Sequence, residues 1–163
     1  MRPQKDIEDA MKQHADTVWR VCMLHFRDHQ DAQDAFQNAF IKYALADDAR
    51  FNGEEHRKAW LIRTASNACK DLLRASSRRL SRREATERLE TVAVEDPSSQ
   101  PGSFESDVVD AMRGLDDPPR TPLYLFLYEG YTAPEIAELL DAPVNTVYTW
   151  ISRGKAVLRR LLR

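Results

Sequence analysis

"TAPEIAELLDAPVNTVYTWISRGKAVLRRLL", residues 132–162, is the stretch on which the reading of the fold turns. Thr132 and Glu135 stand at the spacing of a T-x-x-E capping box, and Pro134 suits a first helical turn, where its missing N–H is not needed. Ile136, Ala137, Leu139 and Leu140 carry that helix forward. Asp141–Ala142–Pro143 then breaks it, because Pro143 cannot continue a helix and Asp141 tolerates a turn or left-handed backbone. A second helix is expected to start near Asn145, a good cap. It repeats Val147, Ile151, Gly154, Leu158 and Leu161 at steps of four and three, which makes these its inward stripe. Two helices broken in this way form a helix-turn-helix, whose second helix enters a DNA major groove. Asn145, Thr146, Tyr148, Thr149 and Ser152 are then candidates for base edges, and Arg153, Lys155, Arg159 and Arg160 for phosphates. An ordinary basic surface helix is the alternative, and it leaves the spacing and the break unexplained.

The rest of the chain is read outward from there. With 163 residues, 42% hydrophobic and 31% charged, and only five glycines, the composition is that of a globular helical chain long enough for two small domains. The net charge of −2 hides a segregation. Ten Lys or Arg lie between Arg57 and Arg88 against Asp71, Glu84 and Glu87, whereas Glu90 to Asp117 holds eight acidic residues against Arg113 alone. Inside the acidic part, "VEDPSSQPGSFES" has the composition of a flexible linker. The expected architecture is therefore all-α: an N-terminal helical domain over 1–90, a flexible acidic linker over 91–106 and a helix-turn-helix domain over 107–163. Apolar runs such as Trp60–Leu61–Ile62 are far too short to span a bilayer, and "MRPQKDIEDA" has no signal-peptide core, so no membrane insertion and a cytoplasmic location are expected. Cys22 and Cys69 have no CxxC spacing and read as reduced packing residues.

In "DAQDAFQNAFIKYALA", Ala32, Ala35, Phe36, Ala39, Phe40, Tyr43 and Ala44 form the stripe of an amphipathic helix, with Asp31 as the expected N-cap. Periodicity alone makes the opposite side, with Asp34, Gln37, Asn38 and Lys42, a solvated face. In "HRKAWLIRTASNACKDLLRAS", Leu61, Ala65, Ala68 and Leu72 mark a packed face that Ile62, Cys69 and Leu73 broaden. Arg63, Asn67, Lys70 and Arg74 repeat the same spacing two residues on, which at about 100° per residue puts them on the opposite side. Trp60 reads as a core or rim residue. In the loop "DDARFNGEEHRK", Phe51 and Asn52 are candidates to touch an unpaired base, although packing on the core is the simpler account of Phe51.

Together these segments resemble the extracytoplasmic-function sigma factors of bacterial RNA polymerase over nearly the whole chain. "DHQDAQDAFQNAFIKYA" is similar to the family's D-x-x-D-A-E-D-L-x-Q-E-x-F segment, "FNGEEHRKAWLIRTASNACKDLLR" to its F-x-x-W-L-x-x-I-A-x-N-x-x-x-D-x-x-R segment, and "YEGYTAPEIAELLDAPVNTVYTWISRGKAVL" to its E-G-x-S-x-x-E-I-A-x-x-L-G-x-S-x-x-T-V-x-x-R-L-x-R-A-R segment. The resemblance implies that Asp31, Gln33, Asp34, Gln37 and Asn38 dock on the coiled coil of the largest subunit of core RNA polymerase, in place of the solvated face. It implies that Phe51, Asn52, Arg63, Asn67, Lys70 and Arg74 capture a melted −10 element. It further implies that the helix-turn-helix reads a duplex −35 element and contacts the polymerase flap, that an anti-sigma factor is a partner, and that the protein acts as a monomer. Gln33 and Asn38 stand where the family often has Glu, and Tyr148 and Trp150 where it often has Lys or Arg.

The rival from another class is a helix-turn-helix regulator with an N-terminal sensing domain, which would dimerise on a two-fold site. An enzyme finds no support, since there is no glycine-rich phosphate loop, nucleophile elbow or H-E-x-x-H. No cofactor and no metal are expected. Cys22, His25 and His29 are the nearest thing to a ligand set, and His29 is placed in a break where it need not share their face.

Overall fold

The computed structural model describes residues 1–83 and 110–162, and every regular element among them is a helix. The chain divides into two compact units, Met1–Pro97 and Ser98–Arg163. The linker expected over 91–106, and the domain edges expected at 90 and 107, lie outside the described residues.

The first unit is a bundle of α1 (Gln4–His25), α2 (His29–Leu45) and α3 (Glu54–Arg83), each packed on the other two. Helix α1 buries Ala10, His14, Thr17, Val18, Val21 and Cys22, the spacing of a single helical face. Helix α2 buries Ala32, Ala35, Ala39 and Tyr43, and its small residues let the neighbouring helices approach closely. The expected cap of α2 is corrected. Asp28, extended at ψ 121°, accepts from the Gln30 N–H at 2.8 Å, so the helix begins three residues before the expected point and Asp31 lies in its first turn. His29 is therefore helical and not in a break; its ring meets Trp19 edge-on at 5.6 Å. His25 Nδ1 donates to the Val21 carbonyl at 2.9 Å, and Cys22 is buried. Helix α3 buries Leu61, Ile62, Ala65, Ala68 and Cys69 and exposes Arg63, Asn67, Lys70 and Arg74, while Leu73 is exposed and does not widen the apolar arc.

In the second unit residues 110–113 are helical, followed by α4 (Arg120–Leu127), α5 (Ala133–Leu140) and α6 (Val144–Leu161). The capping box at the start of α5 is formed in both directions: Glu135 N–H donates to Thr132 Oγ1 at 3.3 Å, and Thr132 N–H to Glu135 Oε1 at 3.0 Å. Helix α5 ends at Asp141 in the left-handed region, φ 54°, with the Ala142 N–H closing on the Ala137 carbonyl at 2.9 Å. Pro143, not Asn145, is the N-cap of α6, because Pro143 is already extended and its carbonyl accepts from Val147 N–H at 3.1 Å. Asn145 consequently sits in the first turn. Leu123, Tyr124, Leu125, Ile136, Val147 and Ile151 make the core. Of the stripe expected to face inward, Val147, Ile151 and Gly154 are buried, Leu158 is half-buried and Leu161 is 50% exposed, so the stripe outruns the buried contact. At Gly154 the helices come so close that a Cβ would stand 2.8 Å from Leu123 Cδ2.

Candidate nucleic-acid interface

The polar side of α2 is partly exposed along its length. Gln33, Gln37 and Asn38 are exposed, and Asp31 and Asp34 are half-buried, with Gln30 Nε2 donating to Asp34 Oδ1 at 3.0 Å. Three and seven residues beyond Asn38, at helical spacing, Ile41 is 54% and Leu45 65% exposed, so the polar face runs into an apolar end. Sequence reasoning passed over both residues. The signal was there, since neither belongs to the stripe of Ala32, Ala35, Ala39 and Tyr43, yet an isolated exposed apolar residue is ordinary and only the pairing is informative.

The loop between α2 and α3 is fixed by residues that spacing could not connect. Arg2, 7% exposed, donates from Nε to the Tyr43 carbonyl at 3.0 Å and from Nη2 to the carbonyls of Ala46 and Ala49, each at 2.7 Å. Its guanidinium lies 4.5 Å from the Tyr43 ring centroid and 5.1 Å from that of Phe51. Phe51 stacks on Tyr43 at 6.1 Å and meets Trp60 and His56 edge-on at 5.8 and 5.3 Å. Phe51 is half-buried against the core and keeps part of its ring exposed, and Trp60 is half-buried in the same cluster. Asn52 is exposed, its N–H held by His56 Nδ1 at 3.0 Å, and Gly53 at φ 134° makes the turn into α3.

Beneath the loop lies a charge network. Tyr43 donates to Asp6 Oδ1 at 2.6 Å, and Arg57 donates to Asp6 at 3.1 Å and to Glu54 Oε1 at 2.6 Å. Arg57 lies in the basic stretch of the sequence, but it is 8% exposed and committed to carboxylates. His14 Nε2 adds a hydrogen bond to Glu54 at 2.8 Å. The Tyr43 bond, aided by the Arg2 and Arg57 charges, outweighs burial and holds the Asp6 carboxyl below its ordinary range. Burial pushes Glu54 up, but hydrogen bonds from His14 and Arg57 more than reverse it and leave it lowered. Burial, and donation to Asp6, raise Tyr43. Both carboxylates have folded values below their unfolded ones. Their contribution is therefore present above the ordinary carboxylate range and lost as the pH falls through the lowered values, below about pH 4. Melting followed by tryptophan emission should show the first unit losing stability steeply across that range, and Asp6→Asn should flatten the dependence while lowering stability at neutral pH. An acid limb of equal steepness in Asp6→Asn would remove Asp6 from the explanation.

Along α3 the exposed row of Arg63, Asn67, Lys70 and Arg74 includes one acidic neighbour, Asp71, 3.8 Å from Arg74 and 3.9 Å from Lys42. These are solvated pairs worth little, and a polyanion can displace them.

On α6, Asn145, Tyr148, Thr149, Ser152, Arg153 and Arg159 are exposed, and Thr146 is half-buried. Thr149 Oγ1 donates to the Asn145 carbonyl at 3.1 Å. Lys155 is half-buried with its ammonium 4.7 Å from the Phe126 ring centroid, so its charge rests on the protein's own aromatic face. The first two turns of α6 carry no Lys or Arg; the cations are Arg153 and, further on, Arg159 and Arg160. Among the described residues no helix is long and apolar enough to cross a membrane, and no group of three His, Cys, Asp or Glu is placed to hold a metal ion.

Comparison with known proteins accounts for both units. The family model for sigma-70 region 2 matches residues 10–79, and that for sigma-70 region 4 matches residues 106–158. The RNA polymerase sigma-H factor of Pseudomonas aeruginosa is 30% identical over 146 residues, covering 83% of this chain and 75% of that protein. The ECF RNA polymerase sigma factor SigW of Bacillus subtilis is 27% identical, covering 97% and 88%. Among solved structures, the sigma factor RpoE of Bartonella quintana, crystallised with the anti-sigma factor NepR, is similar in fold, with a TM-score of 0.78 at 21% identity over 97% of each chain. CnrH, in complex with the cytosolic domain of CnrY, matches with a TM-score of 0.67 at 22% identity, over 98% of this chain and 89% of that one.

Proposed function

The chain belongs to the ECF sigma factors of bacterial RNA polymerase, and on that premise we propose how its surfaces divide the work of promoter-specific initiation. It is an initiation factor and not an enzyme; its partners are core RNA polymerase and promoter DNA. Asp31, Gln33, Asp34, Gln37 and Asn38 dock on the coiled coil of the largest polymerase subunit, and Ile41 and Leu45 extend that contact with apolar area. Arg63, Lys70 and Arg74 track the backbone of the melted −10 strand while Asn52 and Asn67 meet its bases, and Phe51 shapes the loop from behind. Capture of unstacked bases offsets the cost of opening the duplex. Helix α6 reads the −35 duplex. Asn145 suits adenine and the methyl groups of Thr146 and Thr149 suit thymine, while Arg153, Arg159 and Arg160 hold phosphates. The protein works in the cytoplasm as a monomer, and an anti-sigma factor, such as accompanies the Bartonella quintana sigma factor, holds it inactive by covering these surfaces.

The observation that carries this reading is the presence, on one chain, of two separate exposed cationic rows, on α3 and on α6, with a polar-to-apolar face on α2 that is not cationic. The test is reconstitution of the protein with core polymerase lacking any other sigma factor on upstream DNA from its own genome. Start-site-specific transcripts are expected. Asp34→Arg should lower them at least about tenfold by placing a like or unpaired charge in the docking contact, without changing duplex affinity. Unchanged transcription from Asp34→Arg would remove the α2 face from the docking surface.

A further inference from the structure

We propose that Arg2 is the positioning residue of the loop over 46–53, fixing it in the form that offers Asn52 to a base unstacked from the −10 element. The inference rests on the assignment of that loop to the −10 strand.

The last carbonyls of a helix lack intrahelical donors and carry the negative end of its dipole, so a cation is favoured there. The end of α2 receives Arg2 twice, through its backbone N–H to the Ala44 carbonyl at 2.9 Å and through its guanidinium to the carbonyls of Tyr43 and Ala46. The same guanidinium reaches the loop carbonyl of Ala49 and lies within cation–π range of Phe51, the residue immediately before Asn52. Its remaining nitrogen, Nη1, donates to Asp6 Oδ2 at 3.0 Å, which ties the clamp to α1. A planar fork of five N–H groups serves all these directions at once; an ammonium is a point charge and cannot.

Within the loop, Arg50 donates to the Asp47 carbonyl at 2.7 Å and the Ala49 N–H to the Ala46 carbonyl at 3.1 Å, but Ala46, Asp47, Asp48 and Ala49 bring no large apolar side chain, so Arg2 and the ring of Phe51 tie the loop to the helices. Holding it beforehand removes the ordering cost that would otherwise be charged against base capture. This separates Arg2 from Arg57, whose carboxylate partners lie on α1 and at the start of α3.

The test uses holoenzyme assembled from core polymerase and the full chain, with two single-stranded oligonucleotides, one carrying the −10 element recovered from the reconstituted transcripts and one scrambled. Wild-type protein should prefer the −10 strand. Arg2→Ala should lose about tenfold of that preference while affinity for the scrambled strand, core binding and helical content stay as in wild type; Arg2→Lys should fall between the two. A purely structural role predicts equal losses on both oligonucleotides. If Arg2→Ala does not fold, Arg2→Lys decides: wild-type preference in a folded Arg2→Lys overturns the proposal, and a selective loss supports it. If wild-type holoenzyme shows no preference, the assignment of the loop to the −10 strand falls, and the proposal with it.

Discussion

Gly154→Ile is expected to unfold the second unit. The position faces Leu123, whose Cδ2, Cβ and Cγ would stand 2.8, 3.3 and 3.4 Å from an added Cβ, and Leu123 is fully buried with nowhere to retreat. Alanine there recovers about 1 kcal/mol of helix propensity and so partly offsets the clash. Isoleucine adds two branches at the point of closest approach, and overpacking of this kind costs about 3 kcal/mol or more. A helical unit of this size has a total stability on the order of 3–5 kcal/mol, so the substitution consumes it. Trp150, half-buried on α6, reports the second unit, whereas Trp19 and Trp60 report the first. The expected result is loss of the Trp150 transition and of −35 duplex binding, with the unfolding of the first unit unchanged. A Trp150 transition at the wild-type temperature would show that α4 and α6 can separate without penalty.

Arg57→Ala should strongly destabilise the first unit. It removes hydrogen bonds to Asp6, to the Tyr43 hydroxyl and to both oxygens of Glu54, and leaves the charges of Asp6 and Glu54 without their shared cation. Breaking a buried pair from one side costs about 3–5 kcal/mol. The lower end applies here because the Asp6 and Glu54 side chains are 30% and 51% exposed and water screens them. Urea unfolding followed through the first unit's tryptophans should show a lower midpoint, and the double variant with Asp6→Asn should lose less than the sum of the two single losses. Strict additivity would mean that the two residues stabilise the bundle independently.

What could be read in the sequence was local. The Thr132–Glu135 box, the break at Pro143 and the opposed faces of α3 each depend on residues three or four apart, so helical geometry alone connects them. The helix starts were missed by small margins for a stated reason. Asp28 and Asp31 are both competent caps, and only backbone extension at Asp28 decides between them; similarly Asn145 is the better cap by type, but Pro143 is the residue in extended conformation. Contacts across the fold were not legible. Arg2 and Arg57 look like any surface cations until Tyr43, Asp6 and the loop carbonyls surround them, and the contact of Lys155 with the ring of Phe126, 29 positions earlier, has no signal in the spacing. The packing of Phe51 on Tyr43 and Trp60 joins residues that spacing along the chain does not connect.

With Lys155 resting on Phe126, α6 offers a duplex the guanidinium groups of Arg153, Arg159 and Arg160. Releasing about three counterions gives a log–log salt slope near −3, a shallow and weak hold by the standard of DNA-binding proteins. The exposed side of α3 adds Arg63, Lys70, Arg74 and Arg78. Because both units belong to one chain, engagement of the first raises the effective concentration of the second. On the proposed division of surfaces, the protein is expected to act as a coincidence detector: a sequence bearing one promoter element detains it briefly, and the two elements together retain it.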